Sequence, residues 1–148
     1  MKSIYLAGHS IEFEYRKYCI DNYSDEFVLL DPIGRSLDVL KKNDWDVDKI
    51  ASGEISIADE DIAFIVEEDK KDILKCDYLL AYVKKPTFGT VMEIMYAYEK
   101  YIPIIAVNPN GDWKGDIWLK YHACVIVNTL DEAFEYIQNI EKLGDIDE

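Results

Sequence analysis

Short apolar runs alternate with longer helical patterns along this chain, and that alternation restricts its fold more than any single motif does. Strands are expected at residues 3–7, 27–30, 77–83, 103–107 and 123–127. Helical spacing predicts helices over 12–23, 61–75, 90–101 and 130–143. Strands separated by helices cannot pair as tight hairpins, so they form a parallel sheet with helices on both faces. Five strands joined by right-handed crossovers then take the order 2-1-3-4-5. Residues 33–60 interrupt the rhythm. They are polar and irregular, with short helices expected around 36–42 and 47–51, and a long insertion of this kind is often functional. With 148 residues and no linker or repeat, one domain over 1–148 is expected.

Charge narrows the partners. The formal net charge of -14, with only two arginines, Arg16 and Arg35, argues against polymeric nucleic acid, which needs clustered basic side chains. A small anion is still compatible, because backbone N–H groups can hold a phosphate. No apolar run is long enough to span a membrane, and the chain opens directly on a strand rather than a signal peptide, so a cytoplasmic protein is expected. Cys19, Cys76 and Cys124 are an odd set without metal-ligand spacing, with Cys76 and Cys124 in apolar settings; buried free thiols are expected. His9 and His122 are too few and too far apart for a metal site, so no metal and no cofactor are expected.

The richest stretch runs from Cys76 to Glu93: a buried strand, a Pro/Gly turn, then a helix with a carboxylate expected in its first turn. In an open α/β sheet, ligands bind where strand carboxyl ends feed helix N-termini. Glu93 would lie there as a candidate nucleophile, its ionised form favoured by the helix dipole. Gly89 would admit a ligand close to the backbone, and Thr90 is a candidate cap. Glu is also common near helix starts simply as a complement to the dipole. Asp69 falls on the apolar stripe Ile62, Ile65, Val66, Ile73, where a charge is costly unless paired or at the rim of a site. Tyr5 lies on the first strand, where its hydroxyl can hold a nearby carboxylate, or its ring can simply pack. Gly8, His9 and Ser10 form a loop able to offer N–H groups to a ligand. There is no G-x-G-x-x-G, no Walker motif and no G-x-S-x-G elbow, which disfavours dinucleotide binding, P-loop chemistry and serine hydrolysis.

Taken together, Ile4-Tyr5-Leu6-Ala7-Gly8, Asp69 eight residues before Asp77, and Gly89-Thr90-x-x-Glu93 resemble the nucleoside 2-deoxyribosyltransferase family and its relatives, the 2'-deoxynucleoside 5'-phosphate N-hydrolases. The similarity spans roughly residues 3–107. It implies a flavodoxin-like, Rossmann-like three-layer sandwich and a homo-oligomer with shared active sites. It implies Glu93 as nucleophile, Asp69 as the carboxylate facing the nucleobase, Tyr5 as the hydroxyl beside the nucleophile, and Gly8 as the glycine ending strand one. His9, Ser10, Thr87, Gly89 and Thr90 are the further candidate substrate-binding residues. The transferases tend to carry an aspartate where Thr87 stands; Pro86-Thr87-Phe88-Gly89 is closer to the hydrolases' Pro-Ser-x-Gly phosphate segment. Yet the loop 8–12 lacks those hydrolases' arginine. The asparagine that transferases donate to a neighbouring site has three candidates, Asn108, Asn110 and Asn128.

The expected chemistry is cleavage of a 2'-deoxynucleoside's N-glycosidic bond through a deoxyribosyl-Glu93 ester, with transfer to a second nucleobase. Asp69 is the candidate proton donor, raised by burial, while the helix N-terminus is expected to lower Glu93. The alternatives are a nucleoside 5'-monophosphate N-glycosidase, which would use water, and a non-catalytic nucleotide-binding module. An unrelated FMN-binding domain is disfavoured by the absence of a hydroxyl-rich phosphate loop.

Overall fold

The computed structural model describes residues 1–43 and 46–146. Five parallel strands, β1 (Ser3–Gly8), β2 (Val28–Leu30), β3 (Tyr78–Tyr82), β4 (Ile104–Val107) and β5 (Val125–Val127), form one sheet in the order β2-β1-β3-β4-β5. The order and the flavodoxin-like arrangement are those expected. The helices are α1 (Phe13–Tyr23), α2 (Ile33–Lys42), α3 (Val47–Ser52), α4 (Asp59–Lys75), α5 (Phe88–Glu99), α6 (Ile117–His122) and α7 (Leu130–Ile146). α6 was not expected. Asp116 caps it, its carboxylate accepting from Trp118 N–H at 3.1 Å and Leu119 N–H at 3.0 Å.

Side chains alternate across each strand, so the sheet separates two apolar layers. Ile4, Leu6, Leu80, Ile105 and Val107 pack with Tyr15 and Cys19 of α1 and Ala133, Phe134 and Ile137 of α7. Tyr5, Ala7, Leu79, Ala81 and Ile104 pack on the other face with Ile73 of α4 and Ile94 and Ala97 of α5. The centres of β1, β3 and β4 are buried on both faces, which is why they read as continuous apolar runs. Two sequence expectations fail here. Cys124 is exposed, not buried, because it precedes β5 at the sheet's edge; only Cys19 and Cys76 are buried thiols. Ile62 and Val66 are also exposed, so the apolar stripe of α4 enters the core only at Ile73.

α5 stops for a local reason. Tyr101 adopts a left-handed φ of 60°, and the N–H groups of Tyr101 and Ile102 donate to the carbonyls of Tyr98 (3.0 Å) and Ala97 (2.9 Å). This is a Schellman closure with tyrosine in the place glycine usually takes, followed by Pro103.

Candidate active site

The strand order reverses between β1 and β3, and the two following loops diverge, one leading to α1 and the other to α5 on the opposite face. The crevice left at the carboxyl ends of the strands is where such sheets bind ligands. It is a cleft of about 770 Å³. Gly8, His9 and Ser10 line it from the β1 loop, Thr87, Gly89, Thr90 and Glu93 from the start of α5, and Asp69 from α4. The structure therefore brings eight of the nine residues singled out from the sequence to its walls. The ninth, Tyr5, is fully buried beneath it and donates its hydroxyl to Glu93 Oε2 in a short hydrogen bond.

Two local expectations are corrected. α5 begins at Phe88, so Glu93 lies in its second turn rather than its first. Thr87, not Thr90, occupies the cap position, but its hydroxyl donates to Thr90 Oγ1 at 3.0 Å and accepts no backbone N–H. Thr90 itself is buried in the first turn. Gly89 is helical, and a Cβ there would meet no atom within 4 Å beyond its own stretch of helix, so its surface is open to the cleft.

The electrostatics also differ from expectation. Burial pushes the Glu93 carboxyl up to about 7; the Tyr5 hydrogen bond opposes the rise, and the charge of Asp69 adds to it. The helix dipole is strongest within the first turn and does not overcome desolvation one turn further in. Burial, then Glu93 and Asp69, drive the Tyr5 phenol far above its ordinary range, so it remains a donor at any physiological pH. Asp69 is raised by burial, as expected, but the hydrogen bonds and charge of Arg35 oppose that rise. A Tyr5→Phe variant is expected to leave Glu93 with less support for its charge. Its Glu93 carboxyl midpoint should move further up, measured by carbon-13 NMR titration of that side chain.

The β1 loop is held from below. Arg16 of α1 is 4% exposed; its Nη2 donates to Gly8 O (3.0 Å), its Nη1 to His9 O (2.9 Å) and Glu12 O (3.0 Å), and its Nε to Asp31 Oδ1 (3.0 Å). The Tyr15 hydroxyl donates to Ala7 O at 2.6 Å, and a Cβ on Gly8 would come within 2.9 Å of the Tyr15 ring. His9 Nδ1 accepts the Ile11 N–H at 3.1 Å, so that ring braces its own loop. Although loop 8–12 has no arginine, one from the next helix reaches it and binds its carbonyls.

Sequence reasoning missed Arg35 of α2, which pairs with Asp69 and Asp72 at 2.7 and 2.8 Å. It also missed Ser36, Lys70 and Tyr96 as lining residues. Only the presence of one of the chain's two arginines in the irregular insertion hinted at this.

No protein-family model and no curated protein matches the chain. Solved structures do. A 2-deoxyribosyltransferase from Bacillus psychrosaccharolyticus superposes with a TM-score of 0.60 at 15% identity, covering 88% of each chain. The chain shares the fold of that enzyme. A 2-deoxyribosyltransferase from Leishmania mexicana gives 0.57 at 18% identity over 92% of this chain and 96% of that one. A CMP N-glycosidase from Clostridium botulinum gives 0.50 at 16% identity over 96% and 99%.

Proposed function

We propose that this protein cleaves the N-glycosidic bond of 2'-deoxynucleosides and transfers the sugar to another nucleobase, with Glu93 as nucleophile. The observation that carries the reading is the Tyr5–Glu93 hydrogen bond at the floor of a cleft that Asp69 also lines. The solved deoxyribosyltransferases of the same fold support it. Ionised Glu93 attacks C1' as the C1'–N bond breaks, and Asp69 delivers a proton to the departing base. A nitrogen of the second base then attacks C1' and gives its proton to Asp69, so the ester breaks and both Glu93 and Asp69 return to their starting states. Two displacements retain the configuration at C1'. A carboxylate poised near pH 7 is ionised in about half the molecules at neutrality, and its poor solvation makes the ionised form a strong nucleophile. No metal or cofactor takes part in these steps.

The hydrolytic alternative draws on Thr87, which lines the cleft and stands where the resemblance gives the N-hydrolases serine, and on the CMP N-glycosidase of the same fold. Arg16 counts against a phosphate role for the β1 loop, because its nitrogens are occupied by carbonyls and Asp31. The test is chromatography of released base and new nucleoside from deoxynucleosides and their monophosphates, with and without a different free base. Base exchange that depends on Glu93 supports transfer. Release into water, strongest with monophosphates, replaces it with hydrolysis, and no release from any substrate leaves a binding module.

The site is proposed to work in a homo-oligomer. Phe88, Val91 and Met92 of α5 are exposed, as are Trp118 (70% exposed) and Tyr121 (72%) of α6, and Val91 and Trp118 line one hollow between the two helices. An apolar surface of this extent is uncommon on a monomer. Sedimentation should show a dimer or larger species, and Val91→Glu should convert it to monomers and lower activity. A wild-type monomer at micromolar concentration contradicts this.

A further inference from the structure

Arg35 stands one step behind the cleft wall. It comes from α2, in the insertion after β2, and reaches α4. Its Nε and Nη2 both donate to Asp69 Oδ1, at 3.3 and 2.7 Å, and Nη2 also meets Asp72 Oδ2 at 2.8 Å. The guanidinium is largely enclosed and does not line the cleft. Among the described residues, Asp69 Oδ2 has no hydrogen-bond partner. One oxygen of Asp69 is therefore clamped, and the other is left for a ligand.

We propose that Arg35 is a positioning residue for Asp69, gripping Oδ1 so that Oδ2 is the oxygen presented to the leaving base. Its catalytic consequence rests on the function proposed above; its effect on Asp69 does not. A flexible carboxylate would rotate freely between its two oxygens, and loss of a fixed near-attack geometry typically costs about 10²-fold in rate. The planar fork of arginine suits this grip, whereas lysine would supply only a point charge. Arg35 also sets the charge balance. The groups that face Asp69 are Arg35 from α2, Asp72 on the same helix, Glu93 from α5 and Tyr5 from β1, with Lys70 lining the same cleft. Arg35 favours the ionised form of Asp69, and Asp72 opposes it. Asp72 also takes part of the Nη2 hydrogen bonding, so its removal would strengthen the grip on Asp69.

The experiment is a carbon-13 NMR titration of the Asp69 side-chain carboxyl in wild type, Arg35→Met, Arg35→Lys and Asp72→Asn, with folding checked by circular dichroism. Arg35→Met should move the Asp69 midpoint up, Arg35→Lys should restore part of the shift, and Asp72→Asn should move it down. In steady-state kinetics Arg35→Met should lower kcat about 10²-fold with little change in KM, and Arg35→Lys should recover only part of that loss. An unmoved midpoint in folded Arg35→Met, or wild-type kcat in that variant, overturns the proposal. If Arg35→Met does not fold, the absence of a downward shift in Asp72→Asn overturns it. Absence of base release by wild type would refute the proposed reaction, while the titration still decides whether Arg35 controls Asp69.

Discussion

Glu93→Gln is expected to abolish base release and, above neutral pH, to make the fold more stable. The loss of rate should be about 10⁴-fold or more, because an amide cannot form the ester intermediate. The gain in stability follows from linkage. The folded protein holds the Glu93 carboxyl up at about 7, against an ordinary value of 4.5. Below 4.5 the group is protonated whether the chain is folded or not, and it favours neither state. Between 4.5 and about 7 the unfolded chain releases the proton while the folded protein keeps it, so wild-type stability falls as pH rises. Above about 7 the full cost of burying the ion is present, on the order of 2–3 kcal/mol after allowance for the cleft's opening to water. Glutamine carries no such cost and still offers Tyr5 an acceptor. Denaturation of both proteins from pH 4 to 9 should give curves that coincide in acid and diverge through neutrality. Parallel curves would mean that Glu93 is not the strained ion described. Ionisation of Glu93 should raise wild-type activity through the same pH range, opposed by loss of the Asp69 proton that the departing base needs.

Arg16→Met should be the most destabilising single change near the cleft, by about 3–5 kcal/mol in chemical denaturation at pH 7. It leaves Asp31 without its buried partner and three carbonyls, of Gly8, His9 and Glu12, without the donor that joins them. A loss below about 1 kcal/mol would show that water replaces the guanidinium, a cost typical of an exposed pair rather than a buried one. Activity should fall with stability, because the β1 loop forms one wall of the cleft. Arg35→Met acts differently, through the Asp69 and Asp72 carboxylates rather than a loop.

The elements with strong periodicity were legible in the sequence. Strands buried on both faces read as apolar runs, and their alternation with helices was enough to give the β2-β1-β3-β4-β5 order. Tyr5, Asp69 and Glu93 stood out in the sequence as a hydroxyl on the first strand, a charge on an apolar stripe and a carboxylate after a strand–turn junction, although Glu93 lies one helical turn further in than expected. What was hidden depended on three-dimensional neighbours. α6 is only one and a half turns long and rich in aromatic residues; its one clear signal is Asp116 as cap. The state of Glu93 depends on desolvation by elements far apart in the chain, which outweighs the local helix dipole. The Arg35–Asp69 pair joins residues 34 positions apart, and no spacing rule connects them. Arg16 reads as an ordinary helix residue until the fold curls the β1 loop over it.

The claim on which the mechanism turns is that Glu93 bonds covalently to the sugar. Wild type mixed with a deoxynucleoside, without acceptor base, and quenched in acid within seconds should show intact protein heavier by one deoxyribosyl group. Peptide mapping should place the added mass on Glu93, and Glu93→Gln should show none. Base release with no adduct at any quench time, or an adduct on another residue, would contradict the account.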